Sequence, residues 1–172
     1  MIRILGIDPG YAIVGYGLLD YDNMSFRVVN YGAITTAAGL PFEKRLAEIY
    51  DDMCSILDMF HPDCVSMEKL YFNTNITTGI DVAQARGVTV LSCAQRGIPI
   101  YEYTPLQVKA AVTGYGRAGK RQMQEMTRSI LRLKAIPKPD DAADALAIAV
   151  CHGRTSSSRL SGITERKKGE NP

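Results

Sequence analysis

The sequence predicts an α/β domain built on a mixed five-stranded sheet flanked by helices, and three observations carry that expectation. The run Ile2-Arg3-Ile4-Leu5-Gly6-Ile7 is apolar and β-branched, the composition of a strand buried on both faces. Two further runs, 13–21 and 26–35, are rich in Val, Ile, Tyr and Thr and flank a turn at Asp22-Asn23-Met24-Ser25, so the first three strands form an antiparallel meander. Beyond residue 40 helical periodicity alternates with short strand-like runs, which brings later strands back parallel to the first. A chain of 172 residues with 46% hydrophobic content suits one domain with a sizeable core.

The first strand stops at Asp8-Pro9-Gly10, because Pro cannot continue a ladder and Gly permits a sharp turn. With a period of two, Asp8 shares the face of Ile4 and Gly6. A carboxylate at the edge of a core must be paired, protonated or bound to a metal. Capping the Pro-Gly turn is the simpler alternative for Asp8.

Residues 41–60 change period. Phe42, Leu46, Ile49, Met53, Ile56, Leu57 and Phe60 recur at helical spacing, and His61-Pro62-Asp63 ends the helix. Cys64–Glu68 then reads as a strand beside the first, with Glu68 on the face of Cys64 and Ser66 and at the carboxyl end, where ligands gather in parallel sheets. Glu68 also suits an ordinary strand-end surface position.

Tyr71-Phe72-Asn73-Thr74-Asn75 is a polar connector with two aromatics, able either to stack on bases or to anchor the loop. A second long helix follows over 76–96, with small residues Ala83, Ala85 and Gly87 that permit close packing against the sheet or a second copy. A fifth strand over 98–103 leads into Thr104-Pro105, a helix cap with Pro at the first helical position. The loop Gly114-Tyr115-Gly116-Arg117-Ala118-Gly119-Lys120 lacks the Gly-Lys-Ser/Thr ending of a nucleotide P-loop, and a basic helix follows it to residue 133.

The last helix opens Asp140-Asp141-Ala142-Ala143-Asp144-Ala145-Leu146-Ala147. Asp141 and Asp144 lie three apart on one face, and Asp140 reads as an N-terminal cap or dipole partner. The alanines make a slim helix suited to packing on the first strand. The folded domain is expected to close at residue 153, leaving 154–172 as a basic, disordered tail.

Charge is unevenly spread. Residues 40–63 hold six acids against two bases, whereas 114–138 hold seven bases against one acid, an asymmetry that points to a polyanion partner. Cys54, Cys64, Cys93 and Cys151 form no CxxC pair and sit among apolar neighbours, the pattern of buried thiols in a reducing cytosol. No signal peptide or membrane span is expected, which makes the chain a cytoplasmic protein.

Four acids thus stand at element ends: Asp8, Glu68, Asp141 and Asp144. If they met, their repulsion would demand counter-charge, and hard oxygen ligands suit Mg²⁺ or Mn²⁺. Two such ions about 4 Å apart activate water and stabilise the leaving oxygen of a phosphodiester. With a basic face and an aromatic loop, this pattern points to a nuclease.

The chain closely resembles the RuvC family of Holliday-junction resolvases over about residues 2–152. The matching segments are Leu5-Gly6-Ile7-Asp8-Pro9-Gly10, Glu68 with Tyr71, Gln84-Ala85-Arg86-Gly87, Tyr103-Thr104-Pro105, Val108-Lys109, the 114–120 loop and Asp141-Ala142-Ala143-Asp144-Ala145-Leu146-Ala147. The resemblance implies an RNase H-like fold, a homodimer, and symmetric nicking of four-way DNA junctions. It further implies one or two Mg²⁺ ions per subunit, with Mn²⁺ as a substitute, and work beside the RuvA–RuvB branch-migration complex. By position, Asp8, Glu68, Asp141 and Asp144 match the family's catalytic metal-binding acids. Lys109 and Lys120 match basic positions that contact DNA. Tyr71 falls where the family often has a phenylalanine near the exchange point, and Arg121 extends the basic set.

Two rivals remain at this level. An actin-like ATPase also begins with a strand ending in Asp and a glycine turn, but needs two such lobes to enclose a nucleotide. A junction-binding protein without catalysis would have no use for four acids.

Overall fold

The computed structural model describes residues 1–70 and 76–168, and side chains for 1–70 and 79–156. Along the chain run β1 (Ile2–Asp8), β2 (Ile13–Asp22), β3 (Ser25–Thr35), α1 (Phe42–Phe60), β4 (Cys64–Glu68), α2 (Ile76–Gln95), β5 (Ile100–Tyr103), α3 (Pro105–Thr113), α4 (Lys120–Ile130) and α5 (Asp140–Lys168). The five strands form one sheet in the order β3-β2-β1-β4-β5. β1–β2 and β2–β3 are antiparallel, while β1–β4 and β4–β5 are parallel. The expected meander and the expected parallel return are therefore joined at β1, the central strand.

Two helical layers cover the sheet. On one face α1 and α2 enclose Leu5, Ile7, Leu18, Ile49, Met53, Leu57, Val65 and Met67. α1 ends where His61 adopts a left-handed conformation at φ 46°, which closes the helix before Pro62. Arg96 ties the two helices together: its Nε and Nη2 each donate to Asp58 at 2.6 Å, and its Nη1 donates to Cys54 Sγ at 3.2 Å. Cys54 is thus half-buried beside a guanidinium, unlike the apolar setting expected for it. Cys64, Cys93 and Cys151 are buried, and all four thiols are free.

On the opposite face lie α3, α4 and α5, and this packing positions the site. α5 crosses β1 and β2 over a track of glycines. A Cβ on Gly6 would stand 2.0 Å from the Ala145 carbonyl oxygen, and one on Gly15 would stand 2.1 Å from that of Asp141. Strand and helix backbones can approach this closely only because both carry minimal side chains, glycine below and alanine above. Ala142, Ala143, Ala145 and Ala149 are all at least 99% buried.

At the far end of the sheet the buried Asp20 accepts from Arg3 Nε at 2.8 Å and pairs with Arg27. These arginines hold its carboxyl below the usual range, the Arg3 hydrogen bond contributing most. Arg3 also donates to the Phe60 carbonyl oxygen, which fastens the end of α1 to β1.

The segment expected to be a disordered tail from residue 154 is helical as far as Lys168. Residues 154–168 contain no proline, and Arg154 donates to the Ala111 carbonyl oxygen of α3, so helix propagates past the core. Among the described residues, no helix is long and apolar enough to cross a membrane.

Candidate active site

The alternation that buries β1 also aims its last residue. Ile4, Gly6 and Asp8 share the α5 face, and Gly6 lies directly under Ala145 and Ala149. On β4 the same period places Cys64, Ser66 and Glu68 toward α5, and Ser66 Oγ donates to the Ile148 carbonyl oxygen at 3.3 Å. Ile7 stands opposite Met67 in the parallel ladder, so Asp8 and Glu68 leave adjacent strands side by side. α5 supplies Asp144 from above, one residue before the Ala145 that rests on Gly6.

These three carboxylates line one pocket of about 300 Å³. Pro105, Val108, Lys109, Lys120, Met123, Ala147 and Ile148 complete its walls. Asp141 is half-buried and seated against Gly15, outside the lining, yet its charge reaches Asp8 and Lys120. Asp144 is not the buried, unpaired acid that its Ala-Leu-Ala-Ile context implied. It is 37% exposed, and Lys120 Nζ lies 3.9 Å from its Oδ2.

The electrostatics are those of a site short of positive charge. Burial, followed by repulsion from Asp144, Glu68 and Asp141, pushes the Asp8 carboxyl up to about 7. Burial and Asp144 raise Glu68, partly offset by Lys109. Burial raises Asp144 as well, against the pull of Lys120. Lys120 is itself held above its ordinary value, chiefly by its hydrogen bond to Asp140.

The donor set is all carboxylate oxygen, which suits a hard divalent cation such as Mg²⁺ or Mn²⁺ and not a thiophilic metal. The upward shifts are what crowded carboxylates show before a cation joins them. Among the described residues, no three acidic, His or Cys side chains already stand close enough to form a metal shell.

The sign of the Asp8 shift gives a testable pH dependence. Its folded-state value exceeds the unfolded one, so between about 4 and 7 the folded chain binds the extra proton and ionisation opposes folding. Stability from this group is complete at low pH and falls as pH rises through about 7. Excess Mg²⁺ should abolish that decline, and apparent Mg²⁺ affinity should increase from pH 6 to 8. Thermal melts with and without Mg²⁺ across this range check it, and a metal-independent slope would remove Asp8 from the site.

The remaining sequence candidates divide. Lys109 and Lys120 reach the pocket, whereas Arg121 is exposed beside it on α4 and does not line it. Tyr71 lies outside the described residues. The sequence reading missed Val108 and Met123 as apolar walls, and it took Asp140 for a helix cap or dipole partner. Asp140 in fact accepts from Lys138 at 2.7 Å and pairs with Lys120 at 3.2 Å. The seven bases in 114–138 were the available signal for such pairing, but they do not say which lysine turns inward.

A family model described as crossover junction endodeoxyribonuclease RuvC matches residues 4–152. The chain is 57% identical to the protein of that name from Brevibacillus brevis over 153 residues, covering 89% of this chain and 92% of the relative. The Clostridioides difficile protein is 56% identical over 89% of this chain and 90% of its own length. Among solved structures, Thermus thermophilus RuvC in complex with a Holliday junction substrate superposes with a TM-score of 0.86. That pair is 32% identical over 91% of this chain and 95% of the other. The yeast mitochondrial resolvase Ydc2, at 14% identity and a TM-score of 0.71, shares the fold. With a family model matching residues 4–152 and relatives more than half identical over nearly nine-tenths of its length, the chain belongs to the RuvC family of crossover junction endodeoxyribonucleases.

Proposed function

We propose that this protein resolves Holliday junctions by hydrolysing two phosphodiesters symmetrically, using Asp8, Glu68, Asp141 and Asp144 to hold Mg²⁺. The family is one of junction endonucleases, and its T. thermophilus member has been seen with a Holliday junction substrate. The observation that carries the reading is the shared pocket of Asp8, Glu68 and Asp144 with Lys109 and Lys120 on its rim. One or two Mg²⁺ ions per subunit, with Mn²⁺ as substitute, would supply an activated water and charge for the leaving oxygen.

The chain's own groups do the rest. Asp8, Glu68 and Asp144 set where the scissile phosphate must lie. Lys109 and Lys120 offer ammonium groups to phosphate oxygens, with Arg121 beside them as a further backbone contact. Val108, Met123, Ala147 and Ile148 form an apolar back wall, which lowers the local dielectric and strengthens each charge interaction. Tyr71 would stack where bases are already unstacked at the exchange point. A metal-dependent nicking assay tests the reading: four-way junctions should be cut in paired, symmetric positions and linear duplex should not. Equal cutting of both substrates would refute junction selectivity.

Two symmetric nicks need two sites, which a C₂ homodimer supplies through one self-complementary face. The exposed side of α2 supports such a contact. Ile80 is 51% and Leu91 49% exposed, and with Gln84 and Gly87 they form a stripe at spacings of four, three and four. A Cβ on Gly87 would meet nothing within 4 Å, so the stripe is open at its middle. Leu91→Glu should weaken dimerisation by about tenfold or more, since a charge in an apolar contact costs at least as much as removing an anchor. Sedimentation velocity at micromolar concentration reads the result, and an unchanged dimer would place the interface elsewhere. Partnership with the RuvA–RuvB complex and a cytoplasmic location belong to the same reading, on family membership.

A further inference from the structure

We propose that Asp140 is a positioning residue that holds Lys120 at the rim of the acidic pocket and keeps its ammonium from occupying the place of the divalent cation. Lys120 is the first residue of α4 and projects toward the first turns of α5. Its Nζ lies 3.2 Å from Asp140 Oδ2 and 3.9 Å from Asp144 Oδ2. Asp140 and Asp144 are four residues apart, so they stand one above the other on the same face of α5. Lys120 therefore bridges two successive turns, in closer contact with the carboxylate outside the pocket than with the one inside.

The second cation on Asp140 strengthens the case. Lys138 Nζ donates to its Oδ1 at 2.7 Å, leaving Oδ2 as the oxygen that faces Lys120. The carboxylate is thereby fixed by one lysine and presented to the other. An ammonium is a compact point charge on a flexible stem, and a flexible stem goes where the nearest anion is. Without Asp140, the nearest anion to Lys120 is Asp144, a member of the pocket. An ammonium seated there opposes cation entry by direct repulsion and by occupying a ligand oxygen. With Asp140 present, Lys120 has a partner one turn away and remains at the mouth, where a phosphate oxygen can take it over.

The inference rests on reading the pocket as a cation site, and a double-mutant cycle separates the two. Mn²⁺ is titrated by calorimetry into DNA-free protein in four forms: wild type, Asp140→Asn, Lys120→Met, and the double variant. Asparagine keeps the size and helix-capping ability of Asp140, and Asp140→Glu serves as the conservative rescue. Asp140→Asn should weaken Mn²⁺ binding by about three- to tenfold in the presence of Lys120 and have no effect in its absence, the signature of two residues acting as a unit. Asp140→Glu should restore most of the affinity. An equal loss in both backgrounds would show that Asp140 acts only through its own charge and would overturn the proposal. No loss in either background, or tighter binding, would overturn it equally. Absence of Mn²⁺ binding to the wild type would instead overturn the cation site on which it rests.

Discussion

Asp144→Asn should leave four-way junction binding intact and reduce nicking by about two to three orders of magnitude, the several kcal/mol that metal-ion chemistry supplies. Affinity for DNA comes mainly from Lys and Arg contacts to phosphates, none of which this change removes. Loss of one negative charge beside the DNA should even tighten binding slightly. The carboxylate that disappears shares a pocket with Asp8 and Glu68 and is the one of the three within 4 Å of Lys120. Asp8→Asn, Glu68→Gln and Asp141→Asn should behave alike. Gel shifts beside nicking assays in Mg²⁺ measure both quantities on one preparation. Nicking near the wild-type rate would take Asp144 out of the site, and parallel loss of binding would mean that the acids act through the fold.

Gly6→Ala, a change of one methyl group at a buried position, should be almost as damaging. The new Cβ would lie 2.0 Å from the Ala145 carbonyl oxygen and 2.8 Å from the Ala149 nitrogen. Both are backbone atoms, so no side chain can rotate away and α5 itself must shift. Overpacking of this kind costs about 3 kcal/mol or more, which in a chain of this size lowers Tm by about 10 °C. The shift also carries Asp144 away from Asp8, and a displacement of about 1 Å can cost on the order of 10² in rate. Cleavage at a temperature where the variant is fully folded separates the two effects. A Tm and a rate close to wild type would mean that the strand and helix are not in the contact described.

Much of this arrangement was legible in the chain because it follows from periodicity. Alternation along Ile2–Asp8 and Cys64–Glu68 puts both carboxylates on the α5 face, since a strand has only two faces. The 3.6-residue period over 42–60 and the turn at 22–25 located α1 and the hairpin for the same reason. These are local rules, and local rules are readable. Asp8, Glu68, Asp141 and Asp144 also stood out as candidates, because each ends an element or interrupts an apolar run.

Their meeting was not readable. It depends on α5, which is distant in sequence from β1 and β2 and approaches them closely where Gly6 on β1 and Gly15 on β2 remove the side chains between the backbones. The alanines marked α5 for the first strand, but the register that sets Ala145 over Gly6 and Asp141 over Gly15 is decided by packing over the whole sheet. The same holds for charge. The sequence showed seven bases in residues 114–138, yet long-range pairing alone turned Lys120 toward Asp140 and Asp144 and left Arg121 outside. Composition set the sign of that face, and tertiary packing chose which ammonium groups stand at the rim of the pocket, because a Coulomb interaction depends on distances that sequence spacing does not contain.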